Sequence, residues 1–182
     1  MKKLKPYCEP SSLTPGKLFN VLHMDYLEGE SHPGADHFHE MCEVILYSQV
    51  KGTCICGNNR YDLNARSLVY VPSMMVHDFE LSLGAKSWQI MKLSPLVFSL
   101  LGLIEHEPVL LQPNVVILND NQFNQIQTIL SWLQENSNTE TKLNDDLLKV
   151  LIQQLSLLLS ENQGTKPLNK KSAANDKLLP FI

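Results

Sequence analysis

Between residues 17 and 93, apolar and polar positions alternate over short runs, and each run is closed by a turn signal. Alternation of this kind predicts strands. Residues 17–27 carry Phe19, Val21, Leu22 and Tyr26, and residues 28–36, with Gly29, Pro33 and Gly34, read as a loop. Residues 41–50 form the next expected strand, with a turn at Lys51-Gly52. Residues 53–56 and 60–63 flank Gly57-Asn58-Asn59, a hairpin signal. Residues 67–71 stop at Pro72, residues 77–83 stop at Gly84, and residues 87–93 follow. Residues 109–118, broken at Pro113, are expected to return as a last strand. Strands at this spacing imply a sandwich or barrel.

The period changes near Asn119. Phe123, Ile126, Leu130 and Leu133 recur at helical spacing behind a candidate cap at Asn119 or Asp120. A second helix is expected from about Leu143 to Glu161, with Asn144, Asp145 and Asp146 at its positive end. Leu148, Leu151, Leu155 and Leu158 form one apolar stripe; Leu143, Leu147, Val150 and Leu157 form an adjoining one. Two stripes exceed what one neighbour needs. The helix either wedges between barrel and first helix or turns one stripe to a second copy of the chain. We take Leu148, Leu151, Leu155 and Leu158 as the expected dimerisation residues. The expected organisation is an arm over 1–16, a barrel over 17–118, a helical dimerisation segment over 119–162, and a linker over 163–182. That linker ends in an apolar cluster, Leu178-Leu179-Pro180-Phe181-Ile182, which reads as the start of a further, missing domain.

Composition narrows the function. The chain has 182 residues, 43% hydrophobic and 19% charged, with a formal charge of −4, which describes a folded protein and not a polyanion binder. The N-terminal lysines precede no apolar core, and the densest apolar run is interrupted by Lys149, Gln153 and Gln154. No signal peptide or membrane span is therefore expected, and a cytoplasmic location with reduced cysteines is. Cys54-Ile55-Cys56 sets two thiols on one strand face. They read as a soft-metal or redox pair, or as two small apolar side chains in a sheet. Trp88 and Trp132 are expected in the core, and His23, His32 and His106 at the surface.

The chemistry concentrates in two segments, His37-Phe38-His39-Glu40-Met41-Cys42-Glu43 and Pro72-Ser73-Met74-Met75-Val76-His77. Read as one strand, the first puts His37, His39 and Glu43 on one face, with Met41, Ile45 and Tyr47 beside them. His77, with Phe79 and Leu81 on its face, would close the set from a neighbouring strand. Three imidazoles and a carboxylate suit a divalent transition metal such as Zn, Ni, Fe or Mn. Met41, Ile45, Tyr47, Phe79 and Leu81 would line the rest of a pocket for a small organic molecule.

These segments resemble the two motifs of the cupin superfamily. His37, His39 and Glu43 match its His-x-His-x(3–4)-Glu pattern, and Pro72 and His77 match its Pro-x-Gly-x-x-His pattern, with Met74 in place of the Gly. The stretches 37–47, 57–63 and 68–72, followed by two helices, resemble the N-terminal domains of AraC/XylS-family transcription regulators, with Arg66-Ser67 replacing the usual Gly-Asp. The resemblance implies a mainly β fold with α: a cupin (jelly-roll) β-barrel followed by two C-terminal antiparallel helices. It implies a small-molecule-sensing and dimerisation domain, with the arm as a lid and DNA contacted only through a domain absent from this chain. In a metal-free sensor of this kind, His37 and Glu43 would hydrogen-bond each other and the ligand. The competing reading is a stand-alone metal-dependent cupin enzyme, a dioxygenase or isomerase. A storage cupin is a third.

Overall fold

The computed structural model describes residues 6–8, 13, 16–30, 35–137 and 141–162. The expected linker and apolar end over 163–182, and His32, lie outside the described residues. Among the described residues, ten strands form two five-stranded sheets: β1 (Tyr7–Cys8), β2 (Phe19–Tyr26), β3 (His37–Phe38), β4 (Cys42–Gln49), β5 (Gly52–Cys56), β6 (Asn59–Leu63), β7 (Ser67–Val71), β8 (His77–Leu81), β9 (Lys86–Leu93) and β10 (Asn114–Ile117). One sheet has the order β1-β3-β8-β5-β6, the other β10-β7-β4-β9-β2. Every pair is antiparallel except β1 with β3. The sheets face each other as a cupin-type jelly-roll barrel, and helices α2 (Asp120–Glu135) and α3 (Lys142–Asn162) follow it.

Local chemistry explains the elements. Gly57 takes φ +57 as the first residue of the two-residue β5–β6 turn, a position that favours glycine. A Cβ on Gly52 would collide with the Glu80 carbonyl and Leu81 Cα, so only glycine lets β5 lie this close to β8. Asn119 caps α2 in a full capping box: its side chain accepts from the Gln122 amide at 2.9 Å, and the Asn119 amide donates to the Gln122 side chain at 3.0 Å.

Strand parity divides the interior into two cores. On β4, Ile45 and Tyr47 face the space between the sheets, with Val69, Val71, Phe79, Trp88, Cys54, Cys56, Tyr61 and Leu63. Cys42, Val44 and Leu46 face the other way, into a core shared with Leu68, Tyr70, Met91, Ile126, Leu130 and Leu133. The second sheet is therefore buried on both sides, which is why β4 and β7 read as continuous apolar runs.

Three expectations change here. Residues 109–118 are not one strand: a 3-10 helix (Ile104–Leu111) precedes β10, and a short helix α1 (Leu96–Leu100) lies before it. Pro113 sits at the junction, where its lost N–H breaks no ladder. Leu148, Leu151, Leu155 and Leu158 are 0–5% exposed inside the chain's own second core, so they are not a face for a partner. The exposed apolar positions of α3 are Leu143, Val150 and Leu157, at 50%, 51% and 62%. Trp132, expected in the core, is half exposed on α2, while Trp88 is buried. No helix among the described residues is long and apolar enough to cross a membrane.

Candidate functional site

The segment 37–47 is not one strand. His37 lies on β3 in the first sheet, Glu43 on β4 in the second, and His39 in the link between them. The residues converge because the chain crosses between sheets at the barrel end. His77, on β8, pairs directly with His37, and their ring centroids are 4.2 Å apart. His37, His39 and His77 each offer a ligand nitrogen, and these atoms lie within 4.8 Å of one another.

Backbone carbonyls set the tautomers. Nδ1 of His37, His39 and His77 lies 2.9, 2.7 and 2.9 Å from the carbonyls of Ala35, Met41 and Met75. A carbonyl only accepts, so each Nδ1 donates, and in a neutral ring each Nε2 carries a lone pair. Glu43 stands against two of these: Oε1 is 3.0 Å from His39 Nε2 and Oε2 is 3.4 Å from His77 Nε2. Both nitrogens are fully buried, and neither has hydrogen-bond alignment with the carboxylate despite the short distances. Lone pairs facing a carboxylate call for a cation between them, either a proton or a metal ion. The donor set fits a borderline transition metal, with buried, carbonyl-oriented imidazoles as ligands.

The electrostatics agree. Burial works against the Glu43 charge, yet contacts from His39 and His77 hold its carboxyl well below the usual carboxylate range. Burial also disfavours a charged His39, but the close approach of the Glu43 carboxylate and its charge outweigh that and raise the His39 pKa. Lys92 Nζ lies 3.7 Å from Glu43 Oε1 and is itself 8% exposed. Lys92 comes from β9, directly opposite Glu43 in the β4–β9 ladder.

Beside this cluster lies a cavity of about 320 Å³. Glu43, Lys92 and His37 form its polar end, and Ile45, Tyr47, Phe79, Trp88 and Ile90 its apolar wall. Tyr7, Leu22 and Met24 complete the lining, and Tyr7 of β1 stacks on His37 with ring centroids 5.7 Å apart. Of the expected pocket residues, Ile45, Tyr47 and Phe79 line this cavity. Met41 and Leu81 do not: Met41 serves through its carbonyl, and Leu81 packs on the barrel core. The expected His37–Glu43 pairing is replaced by His39 and His77. A larger hollow of about 410 Å³ between β2 and α3, lined by Lys17, Ser137 and Asn144, contains none of the expected metal or effector residues.

Sequence reasoning missed Lys92 and Trp88. The available signal was parity: Trp88, Ile90 and Lys92 share one face of β9. A lysine on a strand reads as solvated until the pairing with Glu43 is known.

No protein-family model matches the chain, and no curated protein does. Solved structures do. Apo ToxT K231A from Vibrio cholerae strain SCE256 aligns over 85% of this chain and 61% of its own, at 14% identity and a TM-score of 0.57. Unsaturated fatty acid-bound wild-type ToxT from the same strain aligns over 86% and 60%, at 13% identity and a TM-score of 0.55. The chain thus spans about three fifths of the length of these proteins. At such identities the likeness is one of fold: the chain has a cupin-type jelly-roll barrel with two C-terminal helices, in the arrangement found within ToxT.

Proposed function

We propose that this chain is the small-molecule-sensing module of an AraC-type transcription regulator, with its effector in the barrel cavity. The observation that carries this reading is the cavity itself: an aromatic and aliphatic wall with a few convergent polar groups at one end, Glu43, Lys92 and His37. The motif resemblance and the fold shared with ToxT support it. ToxT structures carry an unsaturated fatty acid and (E)-4-(8-methylnaphthalen-1-yl)but-3-enoic acid, both apolar bodies with an acid group. Carried to this chain, that points to an organic effector whose acid group meets the Lys92 end. A homodimer would form through the α2–α3 surface, where Ile129, Val150 and Leu157 line a shallow groove. DNA reading would fall to a part of the protein that these 182 residues do not supply.

The second reading is a metal-dependent cupin enzyme, and the three-histidine cluster with Glu43 favours it. His37, His39 and His77 would hold a Zn, Ni, Fe or Mn ion, with Glu43 as a fourth ligand. Such an ion supplies Lewis acidity, or a charge that anchors an anionic ligand. Lys92 beside Glu43 adds a cation for either role, where the sequence alone offered few such groups.

The test is a thermal-shift screen of small organic acids and their amides against the purified protein. The expected result is an acid that raises the melting temperature and loses its effect in Ile90→Trp, which projects an indole into the cavity beside Trp88. A ligand that binds Ile90→Trp equally well sits elsewhere and overturns the reading.

A further inference from the structure

Cys54 and Cys56 belong neither to the cavity lining nor to the histidine cluster. Their sulfurs nevertheless lie 3.3 Å apart inside the barrel, 0% and 2% exposed. Both sit on β5, which is hydrogen-bonded along both edges, to β6 and to β8. Phe79 lies opposite Cys54 on β8, and His77 opposite Cys56.

A thiol pair can close on itself or share one soft atom, and the backbone decides between them. Alternate residues on a strand are about 6.7 Å apart, and their Cβ atoms, standing perpendicular to the sheet, are similarly spaced. A disulfide needs Cβ atoms about 3.8 Å apart. Closing that gap would buckle a strand whose two ladders hold it straight. A bridging atom needs no such collapse. With bonds of about 2.3 Å to each sulfur, sulfurs 3.3 Å apart subtend about 90° at that atom. This is the angle of a three-coordinate pyramidal centre, and it is narrower than a tetrahedral one.

Coordination narrows the choice again. The Cys54 thiol is held well above its usual pKa, first by the Cys56 contact and then by burial, so it rests protonated. A divalent metal would need further donors beyond the two sulfurs to complete its shell, and Phe79 and Leu63 in this core offer none. A three-coordinate centre that brings its own third substituent needs no further donor from the protein.

We propose that Cys54 and Cys56 form a dithiol site for trivalent arsenicals. With phenylarsine oxide, the arsenic–oxygen double bond breaks and two arsenic–sulfur bonds form. The oxygen leaves as one water carrying both thiol protons. Arsenic stays trivalent, so no oxidant or reductant is needed, and the product is neutral.

The test is non-denaturing mass spectrometry of the folded protein with one equivalent of phenylarsine oxide. One adduct per chain is expected, surviving buffer exchange and removed by 1,2-ethanedithiol. Cys54→Ala and Cys56→Ala should each weaken retention about 100-fold, because one-armed binding loses the chelate advantage. A His37→Ala/His39→Ala variant should keep the adduct. Peptide mapping of the wild type gives a readout that needs no variant: Cys54 and Cys56 should lose reactivity to alkylation together. No adduct on the folded wild type, or retention unchanged in either cysteine variant, would overturn the proposal. So would mapping that places arsenic on Cys8 or Cys42.

Discussion

The Met74 amide donates to the His39 carbonyl at 2.8 Å, and Met74 makes this bond from a left-handed backbone with φ 61. The cupin motif carries glycine at this position, and the geometry shows why. The turn between Pro72 and His77 must reverse direction while keeping hold of the His39 link. A methionine there carries a steric penalty of about 1 kcal/mol. Its side chain is 56% exposed, so little packing compensates. Met74→Gly is expected to stabilise the protein by up to about 1 kcal/mol, read as a higher denaturation midpoint at unchanged slope. Met74→Val, β-branched at the same φ, should destabilise it.

Glu43 is the charge on which the cluster turns. With His39, His77 and Lys92 around it and 2% exposure, its replacement by glutamine should cost about 3 kcal/mol in metal-stripped protein. The pH dependence has a defined sign. The Glu43 carboxyl is depressed by folding, so its contribution is complete above 4.5 and is lost as pH falls below it. His39 is raised by folding, so its share is complete below 6.5 and is lost as pH climbs past the raised value. The stability difference between wild type and Glu43→Gln should therefore be largest between pH 4.5 and 6.5. A difference that is flat from pH 3 to 9 would count against this charge arrangement.

The two stripes of α3 separate by substitution. Leu151→Lys with Leu158→Lys places charges at positions 0% and 5% exposed, and loss of the folded state is expected. Val150→Lys with Leu157→Lys alters positions 51% and 62% exposed, and should change stability by less than about 0.5 kcal/mol. If the proposed dimer uses this face, the second pair yields a folded monomer by light scattering. A dimer that survives it uses another surface.

The tryptophans give an optical test of the cavity. Trp88 stacks on Tyr26 at 5.2 Å and lines the cavity, while Trp132 is half exposed on α2. In Trp132→Phe, the remaining emission should be blue-shifted and should respond to an effector. In Trp88→Phe, it should be red-shifted and indifferent.

Most of the strands, the hairpin and both long helices could be read from period and turn chemistry, because those signals are local; β1, the break between β3 and β4, and the 3-10 turn before β10 could not. The α2 cap at Asn119 and the end of β7 before Pro72 fall where the residues place them. The convergence of His37, His39, Glu43 and His77 was also legible, but for a different reason from the one that operates. Parity along one strand suggested a shared face; a crossing between two sheets brings them together instead. Lys92 and the division of labour on α3 were not legible. Each depends on which element packs where: Lys92 on the β4–β9 register, and the leucine stripes on where α3 meets the 3-10 helix and β10. Arg66, like Met74, holds a positive φ without being glycine, and it sits where the regulator pattern has Gly-Asp. Among the described residues, departures from the motif thus fall at the two non-glycine positions of positive φ.

The second sheet presents one surface to the cavity and the other to the helices, with Glu43, Ile45 and Tyr47 alternating with Cys42, Val44 and Leu46 along a single strand. Only one thickness of backbone separates the cavity from the helices. A ligand that shifts β4 or β9 by a fraction of an ångström moves the floor on which α2 and α3 rest, since close-packed side chains transmit displacement instead of absorbing it. Occupancy inside the barrel would then reach the outer face of the helices as a mechanical signal, with no relay of residues needed to carry it.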